Sequence, residues 1–361
     1  MAAAQGDEFS DAETVMILRS PDTENRITAE FEKGLVSVII PTYNRARFIW
    51  ETLQSVLSQS YRPMEVLIID DGSTDNTAEV VEQWQNRVRA EKGLLVKYFY
   101  QVNMGPGSAR NYGLLESRGQ YIQFLDSDDL LSRNKISAQI EALRSNLDCQ
   151  AAYCAWRTLF DGGIFKYGPY YQTAAAGSRD EMLRGYIADT WFLPHHSYLF
   201  TRTAIITVGP WDTNLVLQDD ADYLIRMLFN QVCFKYVPSV HVDYRRHLSV
   251  HVSAFSGWAS SIKMKEKAYL FLKDKGIVER YRCDFRKWYQ TLLNKAAIGC
   301  GSIELGGCDD SFQQFINVFS ISANIGKAKM MVCRIARLYA VRLIRHLILD
   351  AVLVRIIRRT R

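Results

Sequence analysis

No Cys-x-x-Cys pair occurs in this sequence, and its seven cysteines, at 149, 154, 233, 283, 300, 308 and 333, fall at irregular intervals. An odd, unpatterned set argues against both a disulfide framework and a zinc site, and it fits a reducing compartment. No stretch approaches the roughly 18 uncharged apolar residues of a membrane span, and no basic start precedes an apolar core as in a signal peptide. A cytoplasmic protein is therefore expected. Two nucleotide signatures are missing as well. There is no Gly-Lys-Ser/Thr phosphate loop, and the first apolar run leads into Pro41-Thr42-Tyr43-Asn44 where a dinucleotide fold would carry Gly-x-Gly-x-x-Gly. The later Gly105-Pro106-Gly107 is a poor substitute.

What is present is a globular composition: 48% hydrophobic and 12% aromatic residues in 361. The net charge of +5 is a property of the C-terminal segment. From Gly326 to Arg361 ten Lys and Arg face the single acid Asp350, which gives +9 and leaves −4 for the rest. Residues 1–34 are the reverse, with eight acids against Arg19, Arg26 and Lys33 and no periodicity, and are expected to be a flexible acidic leader.

Order is expected from Leu35. Val36 to Ile40 is a β-branched run stopped by Pro41, and apolar residues at helical spacing follow from Phe48 to Ser58. Met64 to Ile69 is a second strand, ending in Asp70-Asp71-Gly72-Ser73, with Thr74 or Asp75 placed to cap the next helix. A third strand spans about Val96 to Gln101. The glycine-rich Asn103 to Gly113 then enters a helix, and a fourth strand runs from Tyr121 into Asp126, Asp128 and Asp129. Strand and helix alternate four times, which predicts an α/β fold with a mostly parallel twisted sheet and a ligand site beyond the carboxyl ends of the strands.

Three acids within four positions at a strand end repel one another, and a divalent cation with hard oxygen ligands, Mg2+ or Mn2+, is the natural compensation. A solvated Asp-rich turn, with Asp129 or Ser132 capping the following helix, accounts for the same residues without a metal. With an aromatic loop at Tyr43 and two acidic strand ends on one edge, a nucleotide-sugar is the expected ligand.

Four stretches then carry a resemblance. Val36-Ser-Val-Ile-Ile-Pro-Thr-Tyr-Asn44, Ile69-Asp-Asp-Gly-Ser-Thr-Asp75, Gly107-Ser-Ala-Arg-Asn-Tyr-Gly113 and Phe124-Leu-Asp-Ser-Asp-Asp129 resemble, in order, the signatures of glycosyltransferase family 2, across roughly Leu35 to Ser253. The resemblance implies a GT-A fold. It implies that Pro41 and Tyr43 border the nucleotide base, that Asp71 bonds the base, that Asp126 holds the ribose and that Asp128 reaches the metal. Arg110 is placed to bind a phosphate or the Asp cluster.

Gln218-Asp-Asp-Ala-Asp222 resembles the family's Glu-Asp-x-Asp, which makes Asp220 the general base, with Asp219 where Glu is usual. Tyr244-Arg-Arg-His247 resembles its Tyr-Arg-x-His loop, assigning Arg245 to the diphosphate and His247 to the metal. His195 and His196, after Pro194, could line the acceptor pocket or simply fill a strand end; His196 is taken to the acceptor side. Asp222 and Arg226, four apart, read as a helical ion pair.

The expected layout is therefore a leader at 1–34, a GT-A domain at 35–255 divided into a nucleotide-sugar half (35–135) and an acceptor half (136–255), a helical appendage at 256–325 and a basic amphipathic tail at 326–361. The tail suits an anionic membrane surface, or packing against protein, better than nucleic acid, since no recognition module accompanies it. The function that follows is metal-dependent inverting transfer from a nucleotide-sugar, with UDP the expected nucleotide, to a hydroxyl of a saccharide or lipid-linked saccharide. Two alternatives stay open: transfer to polyprenyl phosphate, and an idle sugar-nucleotide sensor that binds without turnover.

Overall fold

In the computed structural model the chain is described over residues 31–161, 167–171, 178–215, 217–246 and 254–288. The leader up to residue 30, His247 and the tail at 326–361 lie outside these residues. The chain divides into two units, Met1–Gly257 and Trp258–Arg361.

In the first unit the apolar runs form buried parallel strands. β1 (Glu32–Thr42), β2 (Met64–Asp70), β3 (Leu94–Tyr100) and β4 (Gly119–Phe124) are joined in the order β3-β2-β1-β4, all parallel. Every residue of β2 is buried, as a strand covered on both faces requires. Burial of each Ile, Val or Leu there contributes about 1.5–3 kcal/mol.

The crossovers are α1 (Ile49–Leu57), α2 (Thr77–Val88) and α3 (Pro106–Glu116). Helix α3 lies so close to β1 that a Cβ at Gly113 would sit 2.3 Å from Ile39 Cγ2. Only glycine permits that approach.

β1 extends past both of its expected ends. Glu32, inside the expected leader, pairs with Gly119 and sits 2.9 Å from Arg118, so the acid is neutralised in place. Pro41 does not stop the strand: it is buried opposite Ile69 and Thr42 follows it in register with Asp70.

Beyond β4 the sheet becomes mixed. β5 (Leu130–Leu131), β6 (Ala151–Phe160), β7 (Tyr167–Tyr171), β8 (Tyr198–Thr201) and β9 (Phe234–Arg246) continue the order β4-β8-β6-β9-β5, with β7 beside β6. β6 and β9 are parallel, whereas β8 and β5 run antiparallel to their neighbours. β9 runs for 13 residues. Its register against β6 jumps from Cys154↔Val237 to Ala155↔His241, which places Pro238, lacking an N–H, in a bulge.

Helices α4 (Lys135–Ser145), α5 (Arg179–Ala188), α6 (Arg202–Val208) and α7 (Asp219–Phe229) complete this unit. The Lys135 ammonium is fully buried and donates to Gln123 Oε1, to Gln139 Oε1 at 2.7 Å and to Tyr198 O at 3.2 Å. Burial pushes it down to about 8. Gln123 in turn donates to the carbonyl of His196 at 3.0 Å, so a buried polar network fixes where the histidine pair sits.

α8 (Ala254–Asp274) runs into the second unit, in which a 3-10 turn follows at Val278–Tyr281. Tyr269 and Phe285 meet edge to face there, 5.7 Å apart. Among the described residues no helix is long and apolar enough to cross a membrane, and Cys149, Cys154, Cys233 and Cys283 are free thiols.

Candidate active site

The loops after β1, β2 and β4 meet at one edge of the sheet. After β1 the chain turns through Asn44, whose φ of 52° is one that Asn tolerates better than most residues. Its side-chain oxygen accepts from the amide of Thr74 at 2.8 Å, and its own amide donates to Ser73 Oγ at 2.9 Å. This lashing ties the first loop to the second and leaves Tyr43 standing 45% exposed. Asp70 accepts from Ser73 N and Tyr98 Oη, and Asp75 from Ala46 N and Thr77 N; both acids hold backbone in place.

Asp71 is buried and its carboxylate is heavily engaged. It accepts from Gln101 Nε2 at 2.7 Å and from the amides of Met104 and Gly105, each at 2.8 Å. Burial raises its pKa, with these three bonds working the other way. Asp71 thereby shapes the glycine-rich loop that starts α3.

Arg110 on α3 is buried and bridges the two acidic stretches. Nη2 donates to Asp126 Oδ1 at 2.9 Å and Nη1 to Asp219 Oδ2 at 2.5 Å, while the guanidinium lies over the Trp211 ring at 4.6 Å. Arg110 thus reaches the Asp cluster, one of the two partners the sequence offered it. Asp126 also faces His195 Nε2 at 3.3 Å. Burial alone would raise the Asp126 carboxyl, but the charges of His195 and then Arg110 outweigh it and hold it well below the usual carboxylate range.

Asp128 carries Arg45 Nε at 3.3 Å. Asp129 is buried, accepts from Arg245 N at 2.6 Å and lies 3.2 Å from His196 Nδ1. Burial, then the charges of Asp128 and Asp126, push its carboxyl well above the ordinary range. Arg245 directs its guanidinium to Glu51 Oε2 at 2.6 Å and the Asp128 carbonyl at 2.7 Å, so it clamps β9 onto the acidic turn.

Asp219 and Asp220 open α7. Asp219 is neutralised by Arg110, but the bond found for Asp220 is from the next amide, Ala221 N, at 2.7 Å. Burial and then the charge of Asp219 raise the Asp220 carboxyl. Asp222 and Arg226 form the expected i,i+4 pair at 2.8 Å.

The structure thus gathers Asp126, Asp128, Asp129, Asp219 and Arg110 with both histidines. His195 and Arg45 enter more directly than the sequence indicated. Arg45 had a legible signal, a cation two positions after Tyr43 in the same loop. The split of the histidine pair had none: the 3-10 turn at His195–Ser197 sends one ring to Asp126 and the next to Asp129. Trp211, beneath Arg110, also went unforeseen.

The ring nitrogens His195 Nε2, His196 Nδ1 and His196 Nε2 are buried and make no hydrogen bond among the described residues. One ligand atom from each of Asp126, His195 and His196 lies within 4.8 Å of the others. Orphaned imidazole nitrogens beside carboxylates fit a divalent cation that accepts nitrogen and oxygen donors.

Residues 37–209 match the profile of glycosyl transferase family 2. This stretch is a family 2 glycosyltransferase domain. An uncharacterized glycosyltransferase of Rickettsia conorii is 44% identical over 111 residues, covering 31% of this chain and 17% of that protein, so the chain spans well under two thirds of the relative's length. Among solved structures, S. aureus TarS in complex with UDP superposes with a TM-score of 0.55 at 18% identity, covering 75% of each chain. GalNAc-T7 with UDP, GalNAc and Mn2+ gives 0.52 at 14% identity, over 82% of this chain and 67% of that one. At these identities the likeness is one of fold, and the family 2 domain here has the GT-A architecture.

Proposed function

We propose that the protein is a metal-dependent, inverting glycosyltransferase that moves a sugar from a UDP-sugar to a hydroxyl of a saccharide or lipid-linked saccharide. The observation that carries the reading is the contrast between neighbours on α7: Asp219 is bound by the Arg110 guanidinium, whereas among the described residues Asp220 forms no ion pair and accepts from the Ala221 amide. A sugar hydroxyl is a poor nucleophile, and a carboxylate within reach accepts its proton as the bond to the anomeric carbon forms. A raised pKa strengthens that acceptor. One displacement from the face opposite the leaving diphosphate inverts the anomeric centre.

Tyr43 offers an exposed ring for the base, and Asp126, kept ionised, offers an acceptor for ribose hydroxyls. Asp128, with His247 by the family pattern, would hold Mn2+ or Mg2+; Asp126, His195 and His196 supply further donors beside it. When bound, the cation stabilises charge on the departing diphosphate. TarS was solved with UDP and GalNAc-T7 with UDP and Mn2+, which supports UDP and manganese as the first choices. The basic segment at 326–361 supports a place of work at an anionic membrane surface.

The test is release of nucleoside diphosphate from a panel of UDP-, GDP- and TDP-sugars with Mn2+, Mg2+ or EDTA, in the wild type and Asp128→Ala. Metal-dependent release from one donor, lost in the variant, is expected. Absence of both release and calorimetric binding for every donor would sink the assignment.

A further inference from the structure

Three aromatic rings stand beside the acidic cluster without a role in the account so far. Trp156 and Phe192 meet at 5.3 Å and 83°, Trp156 and Tyr244 at 5.9 Å and 88°, and Phe192 and Tyr244 at 5.7 Å and 69°. Trp156 is buried behind the other two, but Phe192 keeps 45% of its surface exposed. The Tyr244 ring stacks on His196 at 6.1 Å and 14°, so the aromatic surface leads straight from Phe192 to the ring facing Asp129.

The exposed Phe192 and the partly buried Tyr244 are both anchored by their neighbours. Tyr244 precedes Arg245, whose amide and guanidinium are fixed to Asp129 Oδ1 and the Asp128 carbonyl. Phe192 follows a turn in which the amides of Thr190 and Trp191 both donate to Gly185 O, at 2.9 and 3.2 Å. A Cβ at Gly185 would lie 2.6 Å from Trp191 Cβ, so the turn packs onto α5 more closely than any other residue would allow. A half-exposed phenylalanine on an anchored turn is a preorganised apolar surface, which lowers the entropic cost of binding.

We propose that Phe192 and Tyr244, backed by Trp156, form the platform on which a neutral pyranose ring of the acceptor stacks, with the Tyr244 hydroxyl donating to one of its hydroxyls. The inference rests on the glycosyltransferase reading and names the acceptor class within it. A pyranose has one face of C–H groups and a rim of hydroxyls, which matches an aromatic surface bordered by a phenol and carboxylates. Charge argues the same way. The Tyr244 ring lies against His196, which faces Asp129, and Tyr244 directly precedes Arg245, whose amide donates to Asp129, so the platform borders carboxylates. The neighbouring guanidiniums of Arg110 and Arg245 are already committed to carboxylates. A neutral pyranose needs no cation of its own at the platform.

Saturation-transfer NMR on the full chain with UDP and Mn2+, using methyl β-glucopyranoside, methyl β-galactopyranoside and methyl N-acetyl-β-glucosaminide as probes, tests the platform. At least one probe is expected to show transfer to its ring C–H protons, to bind about tenfold more weakly to Phe192→Ala, and to recover with Phe192→Trp. No transfer from any probe, equal binding by Phe192→Ala, or displacement of the sugar by farnesyl phosphate would overturn it. UDP release by the wild type is read in parallel. Release without platform binding defeats the platform alone, whereas platform binding with neither release nor calorimetric binding of any donor upholds the platform and defeats the transferase reading.

Discussion

The carboxylates of the parallel half and those of the mixed half are held in opposite ways. After β1 and β2, Asp70, Asp71 and Asp75 accept mainly from backbone amides of their own and adjacent loops, so this side is built by bonds to the main chain. After β4 and at the start of α7, the acids depend on side chains, Arg110 and the two histidines, and among the described residues three imidazole nitrogens have no hydrogen bond. One side is finished on folding. The other keeps unspent donor and acceptor capacity, which the proposed metal and acceptor sites would use.

Asp220→Asn should break this contrast most severely. The amide preserves shape but accepts no proton, so turnover should fall by about 10²–10⁴-fold while UDP-sugar binding stays within a factor of two or so. Calorimetry beside a turnover assay reads both. Because its environment raises the Asp220 pKa, and because only the ionised form accepts a proton, the acid limb of the wild-type kcat profile should lie above the roughly 3.9 of an ordinary Asp. Activity should be present above that limb and lost as pH falls through it. A limb at or below the ordinary value would remove Asp220 as the base.

Arg110→Met comes next. It leaves two carboxylates facing each other with their shared cation gone, and a broken buried pair of this kind costs about 3–5 kcal/mol. Urea unfolding should show that loss, and Asp219→Asn should recover part of it. A loss below about 1 kcal/mol would mean the bridge is as weak as a surface pair.

Asp71→Ala probes the finished side. It removes the acceptor for Gln101 Nε2 and for the Met104 and Gly105 amides, with an expected cost of about 1–3 kcal/mol. Donor affinity should fall with it, since the loop opening α3 loses its template.

What could be read from the sequence divides along the same line. The strands of the parallel half are unbroken apolar runs, and their acidic ends are local motifs, so β2, the helices between the strands and the loop residues were legible. Distant pairings were not. Arg110 with Asp219 spans 109 positions and Arg245 with Glu51 spans 194, and no local pattern specifies such a partner. Pro41 misled because proline usually ends a strand; here its ring is buried at the last turn of register before the loop. In β9, Pro238 sits inside a strand of 13 residues because a bulge absorbs it.

The smallest effect is expected at Tyr43. Its ring is 45% exposed and it follows a strand whose loop is already tied by Asn44, so nothing in the fold depends on it. Tyr43→Ala should leave the unfolding midpoint unchanged. If the ring stacks on the base, donor affinity should drop by about 1 kcal/mol, the low end for base–aromatic stacking because half the ring stays wet, and Tyr43→Phe should retain it. Calorimetric titration of UDP against the three proteins separates the cases. Equal affinity in Tyr43→Ala would move the base away from β1, and the contrast between a prebuilt donor side and an open acceptor side would lose its first contact.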